Sequence, residues 1–287
     1  MAAVTPLVVI VGPTASGKSA LAVDLAEQYG GEIICADSRT IYKDMDIGTA
    51  KPSAEDRTRV PHWGLDLVKP GEPFSAADFK AYAEQKIAEV RARGCIPFLV
   101  GGTGLYIDAI IFDYQFGPVA DQSRRAELEA MSLKQLHKYC IENNITLPDN
   151  QQNKRYVIRA IEQKSINTKR RLKPITHTII VGIATDREVL RHRIVDRATV
   201  LFDSGMVEEA RYLGATYGWH SEAMTANIYR LVRQMEQGVL TKEQVVTQFV
   251  LADWRLAKRQ LTWLKRNQFI EWLSLDNAQN YIASRLA

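Results

Sequence analysis

Hydrophobic positions along the chain alternate between short continuous runs and helical spacing. LVVIV at residues 7–11 is a continuous apolar run, as expected of a strand covered on both faces. ALAVDLA at 20–26 has helical spacing, Gly30 and Gly31 stop it, and EIICA at 32–36 predicts a second strand. A helix follows over 75–93, with Phe79, Tyr82, Ala83 and Ile87 inward and Gly94 as its stop, and then IPFLV at 96–100 as a third strand. TIIVGI at 178–183 returns to strand, followed by a charged helix over 186–197. Strands alternating with helices predict an α/β fold, a parallel sheet flanked by helices.

The texture changes between about 114 and 174. A polar helix is expected over 127–143, Pro148 breaks the chain, and a second helix places Val157, Ile158 and Ile161 inward with Lys154, Arg155 and Arg159 outward. The expected organisation is a first core segment at 1–113, a helical insert or lid at 114–174, and a return to the core with C-terminal helices at 175–287. The last patterned helix, over 249–267, is two-sided. Arg255, Lys258, Arg259, Thr262 and Arg266 share one face, and Trp254, Ala257, Leu261 and Leu264 the other. Such a basic stripe suits a nucleic-acid backbone, and equally a solvated face.

The chemistry begins directly after the first strand. GPTASGKS at 12–19 fits G-x-x-x-x-G-K-[ST] between a strand and a helix, the context in which a P-loop cradles phosphates. Gly12, Pro13, Thr14, Ala15, Ser16 and Gly17 form the loop whose N–H groups and helix N-terminus face an anion. Lys18 adds positive charge, and the Ser19 hydroxyl is placed to ligate Mg²⁺. The loop says that a diphosphate is held, not that it belongs to a nucleotide.

Ligands of open parallel sheets bind beyond the strands' carboxyl ends. Asp37, after the second strand, therefore falls on the P-loop edge, either as a site carboxylate or as a helix N-cap. IGTAKP at 47–52 reads as a loop. GGTGLY at 101–106 stands where most P-loop hydrolases carry a metal-binding Asp; the glycines allow close approach and Thr103 offers a hydroxyl. Arg193 and Arg197 share a helix face and suit either nearby carboxylates or a diphosphate. The basic run at 169–173 reads as a solvated surface.

Composition narrows the classes. The 287 residues carry a formal charge of +4, compatible with a polyanionic partner. Three cysteines, Cys35, Cys95 and Cys140, form no disulfide framework, and Cys35 and Cys95 are expected in the core. The five histidines show no metal-ligand spacing, so no structural zinc is expected. The P-loop strand begins too early for a signal peptide, and no apolar run reaches bilayer length. A soluble, cytoplasmic protein is expected, with no membrane partner and nothing requiring more than a monomer.

Together these motifs strongly resemble the tRNA dimethylallyltransferase (tRNA isopentenyltransferase) family. GPTASGKS at 12–19, DSRTIY at 37–42, IGTAKP at 47–52, GGTGLY at 101–106, RAIE at 159–162 and AKRQLTW at 257–263 follow its order and spacing over most of the chain. The resemblance implies a P-loop NTPase-like fold. It also implies transfer of a dimethylallyl group from dimethylallyl diphosphate to the exocyclic amine of the adenosine 3′ of the tRNA anticodon. In that chemistry the P-loop, Lys18, Mg²⁺ and Arg197 or Arg193 would steady the leaving diphosphate. Ser19 would ligate Mg²⁺ or touch the bridging oxygen, and Asp37 would take the amine proton. The resemblance implies tRNA contacts by Asp37, Ser38, Arg39, Thr40, Thr103, Arg125 (or Arg124), Arg155, Arg159, Lys258, Arg259, Gln260 and Trp263.

Three positions depart from the family pattern. Thr40 replaces a Gln, RYVIR at 155–159 replaces a Q-R-I-x-R run, and Asn227-Ile228-Tyr229 lacks the glycine of I-G-Y. The rival function is a P-loop kinase acting on a nucleoside or small metabolite, which calls for neither GGTGLY nor the basic C-terminal helix. Prenylation of free adenine nucleotides and non-catalytic RNA binding complete the alternatives.

Overall fold

A computed structural model describes residues 5–117, 121–163 and 170–286. Lys169, the first residue of the basic run, lies outside them, whereas Arg170, Arg171, Leu172 and Lys173 are exposed. The continuous apolar runs become a six-stranded parallel sheet of β1 (Leu7–Val11), β2 (Gly31–Ala36), β3 (His62–Trp63), β4 (Ile96–Gly101), β5 (Thr178–Ile183) and β6 (Glu271–Leu273). The strand order is β3-β2-β4-β1-β5-β6. From β1 the sheet grows to β4 and β2 on one side and to β5 and β6 on the other, so β1 is its switch point. Register places Gly101 beside both Val11 and Ala36. The carboxyl ends of β1, β2 and β4 therefore lie side by side, and the three motifs that follow them share one edge.

The apolar face of α1 (Lys18–Tyr29) covers the sheet: Leu21, Ala22, Val23, Leu25 and Ala26 pack with Ile33, Phe98 and Val100. The helix α12 (Leu275–Leu286) joins this core through Ala278 and Ile282. Serine capping boxes start α2 (Ala54–Arg59) and α3 (Ala76–Ala92), each with an Asp three residues on. GGTGLY leads straight into α4 (Gly104–Ile111).

The chain divides into two compact units: residues up to Ile111 together with those from Thr176 onward, and Phe112–Ile175. In the second unit, α5 (Gln122–Ala130), α6 (Leu133–Glu142) and α7 (Lys154–Gln163) bury Leu128, Leu136, Cys140, Val157, Ile158 and Ile161 against one another. The single helix expected over 127–143 is thus two helices. Met131 is extended, and Ser132 with Gln135 forms a capping box that opens a new helix.

The C-terminal helices build a further core in the first unit. It comprises α8 (Arg187–Asp203), α9 (Met206–Tyr217), α10 (Asn227–Glu236) and α11 (Lys242–Leu264), packed with Ile41, Tyr42 and Met45. The charged helix runs past its expected end at 197, because Ala198 and Leu201 continue its buried stripe. The basic helix starts at 242 rather than 249, since Thr241 and Gln244 form its capping box. Cys95 is only partly buried at the entry to β4, while Cys35 and Cys140 are buried.

This core explains the IGTAKP loop. Glu209 of α9 accepts hydrogen bonds from the N–H groups of Asp46, Ile47 and Gly48 at 2.9, 2.7 and 2.9 Å, and from the Tyr229 hydroxyl at 2.8 Å. Buried Lys51 donates to the Tyr42 carbonyl and to Asp46 and Asp66 at 2.6–2.7 Å. The loop is a scaffold held by ionic hydrogen bonds. Glu209→Ala strands three backbone donors, and is expected to lower unfolding free energy by about 2–3 kcal/mol. Urea unfolding of the two proteins checks this, and an unchanged midpoint would refute it.

Candidate active site

A cavity of about 480 Å³ opens at the shared strand edge. Its walls combine Thr14, Ala15, Ser16, Gly17, Lys18 and Ser19 of the P-loop with Asp37, Ser38, Arg39 and Thr40 after β2, and Thr103 after β4. Arg197 of α8, Asp253, Arg259 and Gln260 of α11, Asn227 of α10 and Gly48, Thr49 and Ala50 of the IGTAKP loop also line it. Of the expected site residues, Gly12, Pro13, Arg193, Lys258 and Trp263 lie outside these walls. Arg125, Arg155 and Arg159 belong to the second unit.

At the P-loop end, cationic groups converge. The Lys18 ammonium donates to the Pro13 carbonyl at 3.1 Å. Burial, reinforced by the charge of Arg197 and opposed by Asp37, pushes its pKa down to about 8. Arg193 donates to the Ser16 carbonyl at 3.1 Å, and Arg197 to the Thr14 hydroxyl at 2.6 Å. These arginines therefore reach the loop, rather than Glu188 or Asp196 on their own helix. The Ser16 hydroxyl is fully buried with no hydrogen-bond partner among the described residues. Concentrated positive charge on a loop of N–H donors is the arrangement that suits an anion.

At the β2 end, Asp37 begins a turn and no helix follows, so it is not a helix N-cap. Its Oδ1 accepts from the Arg39 N–H at 2.8 Å, while Oδ2 takes no hydrogen bond from any described residue. One oxygen fixes the carboxylate and the other stays available as an acceptor. Thr103 Oγ1 accepts from the Ser38 N–H at 3.1 Å, and the Thr103 N–H donates to the Ala36 carbonyl at 3.3 Å, tying the β2 and β4 ends together. The Thr40 hydroxyl turns back to the Asp37 carbonyl at 3.4 Å and is buried. Arg39 is committed elsewhere, to the Glu222 carbonyl and the Thr225 hydroxyl at 3.0 and 3.2 Å.

Helix α11 closes the site. Gln260 Oε1 accepts from the Thr14 N–H at 2.8 Å. A Cβ on Gly102 would collide with the Gln260 amide, and one on Gly104 with the Trp263 indole. GGTGLY and AKRQLTW are thus two halves of one joint, with each glycine clearing space for a side chain of α11. Trp263 faces inward here, donating to Asp108 at 2.7 Å. Arg255, Lys258, Arg259, Thr262 and Arg266 remain exposed along the outer side. Motif and spacing alone miss Asp253. It is 3% exposed, accepts from Asn227 at 3.0 Å, and lies 3.6 Å from Arg197. A carboxylate one turn before Ala257 on a buried face was the available signal.

In the second unit, Arg125 and Arg159 both pair with buried Glu162, Arg125 in a two-pronged contact. That pairing holds Glu162 well below the usual carboxylate range against the opposing effect of burial, which is the largest single influence. Arg155 is exposed.

Comparisons with known proteins place the chain in a family. The family model described as IPP transferase matches residues 40–267, and that described as isopentenyl transferase matches residues 5–61. A protein of Bacillus licheniformis named tRNA dimethylallyltransferase is 37% identical, covering 96% of this chain and 92% of its own. Its namesake in Staphylococcus saprophyticus is 34% identical, covering 94% and 91%. The crystal structure of a full-length tRNA isopentenylpyrophosphate transferase from Bacillus halodurans superposes with a TM-score of 0.74 at 35% identity, covering 98% of this chain and 96% of the other. A eukaryotic dimethylallyltransferase crystallised acting on tRNA shares the fold, with a TM-score of 0.80 at 21% identity over 94% and 74% of the two chains.

If the P-loop end holds a diphosphate, Lys18→Ala should weaken binding of inorganic diphosphate by about tenfold or more, the scale of one lost charge-assisted hydrogen bond. Calorimetric titration reads this directly, and equal affinities would remove Lys18 from the anion site.

Proposed function

Because the chain belongs to the IPP transferase family of tRNA dimethylallyltransferases, we propose that it transfers the dimethylallyl group of dimethylallyl diphosphate to the exocyclic N6 amine of the adenosine next to the tRNA anticodon on its 3′ side. The observation that carries this reading is the pairing of a cationic P-loop with a fixed carboxylate across one cavity, beneath a helix whose outer face is basic.

The allylic C–O bond breaks with negative charge building on the departing diphosphate. The P-loop N–H groups, Lys18, Arg197 and Arg193 are organised in advance around that charge. As the C–O bond breaks, the amine nitrogen forms its bond to the allylic carbon and sheds a proton. Asp37 accepts it: Oδ1 is held by Arg39 N–H, so Oδ2 is free to take the amine hydrogen. Thr103 holds Ser38 and hence the loop that carries Asp37. Adenine reaches such a recessed edge only after leaving its stack, so a flipped base is required.

The donor set fits Mg²⁺ carried largely by the substrate. Mg²⁺ takes oxygen ligands, retains water and is commonly held through substrate phosphates. Ser19 supplies a hard oxygen at the cavity wall, and no group of three His, Cys, Asp or Glu side chains suited to a metal occurs among the described residues. Bound there, Mg²⁺ would neutralise charge on the diphosphate.

On the tRNA side, Lys258 and Arg259 of the exposed stripe would hold phosphates, with Ser38, Thr40 and Gln260 nearer the base. Arg155, exposed on the second unit, would add contacts to the tRNA. Arg125, Arg159, Arg39 and Trp263 would support the tRNA path through the partners they already hold. Among the described residues no helix is long and apolar enough to cross a membrane, and a tRNA substrate favours the cytoplasm.

Asp37→Ala is expected to bind tRNA nearly normally while losing about 10²–10⁴ in transfer rate. Single-turnover transfer with labelled dimethylallyl diphosphate, unmodified tRNA and nucleoside analysis measures it; unchanged turnover would exclude Asp37 as the base. Lys258→Ala with Arg259→Ala should weaken tRNA binding and reduce the slope of log K against log salt by about 2. A slope equal to that of the parent would mean that this face meets only water.

A further inference from the structure

Asp253 is an unusual residue to find where it is. The buried face of α11 runs Val245, Phe249, Asp253, Ala257 and Leu264, so a carboxylate occupies a core position. Taking a charge out of water costs several kcal/mol, and a single imperfect ion pair rarely offsets that. The packing of α8 on α11 does not need it, because Leu190, Ile194 and Ala257 already form an apolar cluster between them.

The contacts of Asp253 form a chain that ends at the P-loop. Asn227 at the start of α10 donates to Asp253 Oδ1 at 3.0 Å. Asp253 Oδ2 lies 3.6 Å from Arg197 Nη1, within ionic range but too long for a hydrogen bond. The same Nη1 donates to the Thr14 hydroxyl at 2.6 Å. Arg197 Nε and Asp253 Oδ2 are both buried without a hydrogen-bond partner, as is Ser16 Oγ on the loop itself. Buried polar atoms are ordinarily satisfied, so an ion pair without a full hydrogen bond, between two residues that line the cavity, is a costly arrangement that packing alone does not explain.

We propose that Asp253 is a positioning residue for the leaving diphosphate. Its carboxylate, steadied by Asn227, holds the Arg197 guanidinium against Thr14 so that the arginine meets the anion already oriented. The inference rests on the reading of Arg197 as a diphosphate contact. It assigns Asp253 and Asn227, neither of which touches the reacting atoms, the task of fixing that contact. A guanidinium on a long side chain otherwise loses rotamer freedom on binding, and a displacement of about 1 Å at such a centre can cost on the order of 10²-fold in rate.

A double-mutant cycle tests this. Inorganic diphosphate with Mg²⁺ is titrated calorimetrically into the parent protein, Asp253→Asn, Asn227→Ala, Arg197→Ala and the two doubles with Arg197→Ala. Asp253→Asn keeps the side-chain shape and is expected to weaken diphosphate about tenfold, with Asn227→Ala weaker in the same direction. Neither should cause further loss once Arg197 is gone, and the tRNA dissociation constant should stay at the parent value. A merely structural role would instead give losses that multiply in the doubles and a tRNA affinity that falls in parallel. Multiplying losses, or a parent-like diphosphate affinity in both Asp253→Asn and Asn227→Ala, overturns the inference. Should Asp253→Asn fail to fold, the Asn227–Arg197 cycle decides alone. Absence of prenyl transfer by the parent protein would overturn the proposed reaction, while the diphosphate cycle would still decide the role of Asp253.

Discussion

One uncharged amide links the anion loop to the rest of the site. Gln260 accepts from the Thr14 N–H and fills the space left by Gly102, so α11 is pinned to the ends of β1 and β4 together. Trp263, one turn on, fills the space at Gly104 and bonds to Asp108. Without this joint the P-loop would still form, since strand, glycines and helix are local. It would not be covered by a helix carrying Asp253 and Arg259 into the same cavity. Parallel register then adds the third party, because the pairing of Ala36 with Gly101 carries Asp37 to the same edge.

Much of this was legible in the chain because it depends on local pattern. Continuous apolar runs gave β1, β2, β4 and β5, and the P-loop spacing marked the loop after β1. What pattern could not give were elements whose stability is borrowed from neighbours. The two-residue β3 and three-residue β6 are too short to carry a period, and exist because β2 and β5 offer them an edge. The polar helix of the second unit split because a Ser-x-x-Gln cap outweighed continuity of composition. The start of α11 was misplaced for the same kind of reason, a threonine cap ahead of the first obvious apolar residue.

The site was legible in its residues but not in their division of labour. GGTGLY suggested close approach without saying of what, and Gly102 and Gly104 prove to make room for side chains of α11. Arg159 was expected to point outward, and the structure adds that it, Arg39 and Arg125 each hold a partner within the protein. Spacing reveals that a residue is required; only long-range neighbours reveal what requires it. Asp253 is the converse case, silent in the motifs and conspicuous only once its burial and its distance to Arg197 are known.

The two-sidedness of α11 has an evolutionary and an engineering consequence. Its outer residues Arg255, Lys258, Thr262 and Arg266 are exposed and can change one at a time without disturbing the packing of the helix. Its inner residues cannot, because Gln260 and Trp263 are matched to glycines far earlier in the chain; Trp263 and its partner Asp108 stand 155 positions apart. Substitutions should therefore accumulate along one side of a single helix, while the other side changes only when two distant segments change together.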